Sequence, residues 1–466
     1  MGQFFERQKV FMKKKTGFIL TLAIAVLLIG SVCVSAKDVE SRKTGITLNV
    51  EAVGQYINWD GISNVSQFTD SSGNYCFAYD NDTNVIVVKT FKGEITEKIK
   101  LKKKHSEFGG VDCDSDGYFY LVTGEDNDGD NTDTETIFVS KYSSDGQHIK
   151  TVGDNGSSSL AYYYDSGFYT KKPLSHGNCD IAINGDYIAI NYARSMYNGH
   201  QSNSVWILKR STLTTVSPET PIYNSHSFGQ RAIPFSTGFL FMSEGDCYPR
   251  AFTVNYESMT KGGVTSNTAD IFHFWVKKGT LDSYDMGTLN SNYATIGDVC
   301  DLGNGKASFV ASSVKSMNSK ADSQTPQIFI QIFDPKENLN KSSAYTIAGK
   351  RSGLSGPNGD EKQTDYGIKW ITNYSAKSGK TVDNVQAVAD SKGNTIILFE
   401  QYKSGKYKGI YYCVVDSKGN LTTKITKCSS TGKLNPCETP VYSDGKVWWT
   451  ANSAKDSKLH IYSLKA

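Results

Sequence analysis

Six stretches of the chain, CDSDGYFYLVTG (113–124), AINGDYIAINYA (182–193), PFSTGFLFMSEG (234–245), DLGNGKASFVAS (301–312), ADSKGNTIILFE (389–400) and YSDGKVWWTAN (442–452), read the same way. Each is a polar turn carrying glycine followed by a short run of β-branched and aromatic residues, which is the pattern of a β-hairpin. Most are followed by a polar loop and a second strand–turn–strand, as in TIFVSKYSSDGQHIKTV (136–152), SVWILKRSTLTTV (204–216), QIFIQIFDPKENL (327–339) and GIYYCVVDSKGNLTTKI (409–425). A less regular copy covers 67–102 with NYCFAYDN, NVIVVKTF and GEITEKIKL. Helical periodicity is nearly absent after residue 36, so the chain reads as all-β.

Seven four-stranded units of this kind resemble the blades of a β-propeller, a single closed domain. The spacing places the blades at 67–104, 108–155, 178–217, 228–276, 296–349, 384–427 and 438–466, although six or eight would also suit it. The last unit runs out of chain after three strands, and GITLNVEAVG (45–54) supplies a fourth, closing the ring without an unpaired edge. Residues 37–44 then read as a linker and 45–466 as one propeller domain. The resemblance is architectural. Sialidase-type Asp boxes are absent, Trp59-Asp60 is the sole WD pair, and Gly109-Gly110 and Gly262-Gly263 are too few for Kelch repeats. What remains is similar to the broad group of secreted bacterial propellers with degenerate repeats, a likeness that implies fold and carries no activity.

Composition agrees. The 466 residues include 27 Tyr, 22 Phe and 42 Gly but only 10 Pro, with a net charge of +3, which excludes collagen-like, coiled-coil and wholly disordered chains. The positive charge sits at the front. Arg7, Lys9, Lys13, Lys14 and Lys15 precede an apolar run, FILTLAIAVLLIGSV, and then Val34-Ser35-Ala36, the layout of a secretory signal over 1–36. The alternative is an uncleaved membrane anchor, since the apolar run is nearly long enough to span a bilayer. Without this segment the chain is close to neutral, so no affinity for nucleic acid is expected.

Unusual polar sequence falls in the loops between second and third strands and between successive blades, over blades 2–4. That face gathers His176, Arg194, Tyr197, His200, Gln201, His226, Gln230, Arg231, Glu244, Asp246, Tyr248 and Arg250. Three imidazoles suit a transition metal, and a His/Tyr/Arg set suits proton transfer around an acidic sugar, resembling propeller-fold polysaccharide lyases in residue types only. The plain alternative is that these groups bind the loops to each other and pin the seam of blades 3 and 4. The expected function is binding of an extracellular ligand (glycan, cell-wall polymer or protein) through this face, with glycan cleavage as the rival. A rival site requires a carboxylate or His/Tyr pair on first strands near the ring axis.

Asp126, Asp128, Asp130 and Asp133 recur in an acidic loop and suit a weak calcium site, although Asn131 and Ile137 replace the glycine and glutamate of an EF-hand. Eight cysteines follow the signal, and Cys428 and Cys437 are near enough in sequence to pair across SSTGKLNP. KIKLKKKH (98–105) is the one basic run, read as an outer strand with lysines in water that could also meet anionic cell-wall polymer. Segments 155–175 and 350–384 read as surface excursions. Mass spectrometry of the exported protein is expected to find a mature chain beginning at Lys37; a membrane-retained chain beginning at Met1 would mean an anchor.

Overall fold

The computed structural model describes residues 39–47, 64–129, 131–156, 169–174, 179–196, 199, 201–216, 222, 224, 227–246, 250–260, 263–274, 294–316, 324–355, 362–429, 432–452 and 458–465. Residues 37–466 form one compact unit, a seven-bladed propeller of four-stranded antiparallel sheets. Among the described residues no helix is long and apolar enough to cross a membrane.

Blade 1 runs through Val65–Thr69, Tyr75–Asp80, Asn84–Phe91 and Glu94–Lys102, and blade 2 through Glu107–Cys113, Phe119–Gly124, Ile137–Tyr142 and His148–Asp154. Blade 3 uses Cys179–Asn184, Tyr187–Met196, Gln201–Lys209 and Thr214–Val216. Blade 4 uses Ser227–Phe235, Gly238–Asp246, Arg250–Thr260 and Gly263–His273. Blade 5 is Thr295–Gly303, Lys306–Ser313, Gln327–Phe333 and Lys369–Trp370, and blade 6 is Lys380–Ala389, Thr395–Lys403, Lys406–Val415 and Thr426–Lys427. Blade 7 joins Val441–Ser443, Lys446–Asn452 and Leu459–Leu464 to the N-terminal strand Glu40–Lys43.

The turns repeat one device. The Oδ1 atoms of Asp70, Asp114, Asp390 and Asp416 each accept the backbone N–H groups two and four residues on, closing the turn between successive strands. The strands then alternate, sending successive residues to opposite sheet faces. The result is seven buried apolar layers, one between each pair of neighbouring blades. Adjacent tryptophans show the alternation. Trp449 stacks on Tyr462 in the layer shared with blade 6, whereas Trp448 stacks on Tyr75 of blade 1, with ring centroids 5.2 Å apart.

Three expectations change. The ring is closed by Glu40–Lys43, paired with His460–Ser463, and not by 45–54, so the expected linker contains the closing strand. The outermost strand faces water, and a charged one suits that edge: Glu40 takes Lys446 at 2.7 Å and Arg42 takes Glu94 at 2.9 Å. From the more apolar stretch Ile46 alone is seen buried, between blades 7 and 1, and residues 48–54 lie outside the described ones. The fourth strand of blade 5 comes from Lys369–Trp370, beyond the expected boundary at 349. Within segment 350–384, Lys350–Ser355 and Lys362–Tyr366 pair as a hairpin inserted before the fourth strand of blade 5. Part of 155–175 is also strand, Thr170–Pro173 pairing with the end of Tyr187–Met196.

Trp448→Ala is expected to cost about 3–5 kcal/mol of stability in urea melts, the range for emptying a buried aromatic site. Phe91→Ala, at a side chain left in solvent, is expected to stay within about 0.5 kcal/mol. Equal effects of the two would contradict a closed blade 7–1 layer.

Candidate functional site

Of the described members of the expected loop face, Arg194, Gln230, Arg231 and Glu244 are buried. Arg194 is fully buried and donates to Ser202 Oγ (3.1 Å), the Gly156 carbonyl (2.7 Å) and Thr170 Oγ1 (3.0 Å), tying the 155–170 segment to blade 3. Gly156, at φ +82°, leaves room for that approach, as a Cβ there would lie 2.6 Å from the Arg194 Nη1 atom. Gln230 Nε2 donates to Ser227 Oγ, and the Glu244 carboxylate accepts the Ile296 N–H at 3.0 Å, joining blade 4 to the first strand of blade 5. Gln201 opens the third strand of blade 3, half-buried. His176, Tyr197, His200, His226 and Tyr248, with the side chains of Asp246 and Arg250, lie outside the described residues.

The acidic loop read as a calcium candidate is organised by amides. Asn127 Nδ2 donates to the Asn131 carbonyl, Asn131 Oδ1 accepts the Asp133 N–H, and Asp126 pairs with Lys172 at 3.3 Å. Asp128 is exposed and Asp130 is outside the described residues, among which no group of three or more His, Cys, Asp or Glu is arranged to hold a metal. Cys428 carries a free thiol, so the expected bridge to Cys437 is not formed. Cys428 is instead buried in the blade 6–7 layer, where burial pushes its thiol up to about 12.

Arg231 sits in a polar hub around the ring axis. Its Nε donates to Asp298 Oδ1 at 2.6 Å, while Asp298 Oδ2 accepts the Ala387 N–H of blade 6 at 2.7 Å. Asp180 in blade 3 makes the same kind of bridge, accepting the Ala232 N–H of blade 4 at 2.9 Å. Segment 434–440, leading into blade 7, crosses the axis over this hub: its carbonyls receive Arg231, Gln386 and Gln67, and Thr439 Oγ1 donates to Asp298 at 3.0 Å. First strands of blades 1, 4, 5 and 6 are thus tied to one crossing segment. Burial would depress the Arg231 pKa, and the Asp298 and Asp180 carboxylates overcome it, holding the guanidinium charged. The axial carboxylates that a catalytic reading requires are therefore present, but Asp298 and Asp180 are engaged by these bonds.

A second polar constellation lies to the side, between the outer strand of blade 4 and the 350–366 hairpin. It was not legible from periodicity for a definite reason. The pairing of Gly263–His273 slips between Thr253↔Asp270 and Phe252↔Phe272, leaving Ile271 as an extra residue. That bulge turns Asp270 and His273 to the same face. His273 Nδ1 lies 2.6 Å from Asp365 Oδ1, and Asp365 Oδ2 accepts both the His273 backbone N–H and Arg351 Nη2, the latter at 2.6 Å. The guanidinium also stacks on Phe272 at 3.8 Å. Burial opposes charge on Asp365, but Arg351 and His273 overcome it and hold the carboxyl below its ordinary range.

The other ring nitrogen, His273 Nε2, lies 4.0 Å from Asp270 Oδ2. Burial raises the Asp270 carboxyl, against His273 and the Thr253 hydroxyl. These groups line a cavity of about 280 Å³ together with Asn340, Thr364 and the rings of Tyr345 and Tyr366, whose centroids are 6.0 Å apart. Gly367, at φ +67°, lets the Tyr345 ring lie against the backbone, where a Cβ would stand 2.6 Å from it.

No family model matches the chain, and no curated relative does. Among solved structures, the Myceliophteria thermophila Cps50 (Swd1) β-propeller domain is similar at 8% identity and a TM-score of 0.38, covering 91% of this chain and 100% of that one. The Dos1 propeller is similar at 11% identity and 0.39, covering 88% and 82%. An endo-arabinase from Bacteroides thetaiotaomicron matches at 12% and 0.28, covering 64% and 88%. Likeness at this level carries no activity to this chain.

The hub sets a pH dependence. Asp112, on the first strand of blade 2, adds a carboxyl near Asp180; burial pushes Asp112 up to about 7 and Asp180 up to about 6. A carboxyl raised in the folded state stabilises the fold at low pH, and that contribution is lost as pH rises through the raised value. Stability in urea is expected to fall between about pH 4 and 8, and Asp112→Asn to flatten that fall. An unchanged slope in the variant would contradict the assignment.

Proposed function

We propose that this chain is an exported propeller that binds an extracellular saccharide in the lateral pocket of blade 4. One observation carries the reading: a bulge, a buried Arg–Asp–His cluster and an inserted hairpin combine to hold two tyrosine rings and several polar groups around one small cavity. Rings beside carboxylate, imidazole, amide and hydroxyl groups suit a ligand with hydroxyls at its rim and C–H groups on its face. The cavity is near the lower end of the roughly 300–1,000 Å³ typical of small-molecule sites. That suits one terminal sugar unit better than a long chain segment.

Binding is favoured over hydrolysis by the spacing of the acids. Asp365 and Asp270 both address one imidazole, and Asp365 is 1% exposed, so the two carboxyls do not flank a space where a glycosidic bond and water fit. The axial pair Asp180 and Asp298 is held by backbone N–H groups and Arg231.

A saccharide panel titrated calorimetrically against the full chain tests this. Asn340→Ala and Tyr366→Ala are expected to weaken the bound sugar about tenfold, the loss of roughly 1.4 kcal/mol each, with little change in Tm. His200→Ala with His226→Ala is expected to leave binding intact. Loss of binding in the histidine variant alone, or no saccharide bound at all, overturns the proposal.

A further inference from the structure

The outer strand of blade 1, Glu94–Lys102, presents a row of cations apart from the pocket. Ile99 and Leu101 point into the layer shared with blade 2, so Lys98, Lys100 and Lys102 stand together on the opposite face, exposed. They pair across the sheet with Val88, Ile86 and Asn84, which carry no charge. The acids of the strand are spent elsewhere: Glu97 pairs with Lys89 at 3.2 Å, and Glu94 with Arg42. Among the described residues none of the three lysines makes an ion pair. Asp145, in the neighbouring turn, is engaged by the Ser143 hydroxyl. Lys104 and Lys150 continue the exposed basic surface toward blade 2.

We infer that this row is a docking edge for a linear phosphodiester polyanion, a polyol phosphate chain of the kind found in cell envelopes. Residues two apart on a strand repeat about every 6.6–6.8 Å, and a repeat of a three-carbon polyol with one phosphate is of that length. A peptide adding as a further strand is disfavoured, because the backbone edge is already occupied. Tyr142 donates to the Lys102 carbonyl at 2.6 Å, and the turn at Gly146 packs so tightly on the Lys100 carbonyl that a Cβ would stand 2.8 Å from it. The ligand is therefore held by side-chain charge alone. A single-stranded nucleic acid would gain from aromatic platforms; the exposed ring of this hairpin, Phe91, sits at its far tip with Lys92 over it.

The test measures the affinity of the full chain for synthetic poly(glycerol phosphate) at several salt concentrations. Lys98→Ser/Lys100→Ser/Lys102→Ser is expected to weaken binding at least about tenfold and to lower the salt slope by about two to three, as expected for losing three phosphate contacts. Lys336→Ser/Lys341→Ser/Lys377→Ser removes the same charge from exposed sites elsewhere and is expected to change affinity less than about twofold. Equal losses in both triple variants, absence of binding, or tighter binding of oligo(dT) or polyglutamate overturns the inference.

Discussion

Every blade of this molecule has two apolar faces, and each face must be covered by a neighbour. A row of such sheets always leaves two faces bare, and only a ring leaves none. The alternating strands enforce this demand residue by residue, as at Trp448 and Trp449, which fill the layers on opposite sides of one blade. The closing strand Glu40–Lys43 follows from it. Blade 7 ends with the chain, its outer edge needs a partner, and that partner must itself tolerate water, which the Glu40 and Arg42 ion pairs allow.

Closing the ring gathers the inner strand edges around one axis, where unpaired N–H groups are costly if buried. Carboxylates meet that need: Asp180 and Asp298 each cap an N–H of the following blade, and Arg231 balances their charge. The segment 434–440 then covers the hub with its own carbonyls. Polar groups that resemble a reactive centre by type are thereby used for architecture. Among the described residues, a cavity opens where the chain departs from the blade plan, at the bulge of Ile271 and the inserted hairpin that brings Asp365 to His273.

The blades were legible because turn chemistry and strand alternation are local. The repeated strand–turn units and their order follow from the Asp and Gly turns, with seven the count chosen over six or eight, and an N-terminal closing strand from counting strands. The choice between 40–43 and 45–54 was not legible, because apolarity favours the second while the outermost edge selects charge. Lys369–Trp370 was missed because two residues after a long insertion carry no period. Arg194, Arg231, Gln230 and Glu244 stood out as polar, but a sequence does not distinguish a charge that faces solvent from one that pins a seam. His273 and Asp365 are distant in the chain, and the bulge removes the parity that would have linked Asp270 to His273. A polar hairpin such as KRSGLS followed by KQTDY hides its buried pair, because Arg351 and Asp365 meet only once the chain is folded.

The central claim is that ligand recognition sits on the side of blade 4, away from the sealed axis and the loops of blades 2–4. The most direct measurement is a crystal structure of the protein grown with a saccharide that it binds in solution. The account expects the sugar in the cavity lined by Tyr345 and Tyr366, with its hydroxyls on Asp270, His273 or Asn340. A sugar bound instead at His176, His200 and His226, with the lateral pocket holding only water, would contradict it.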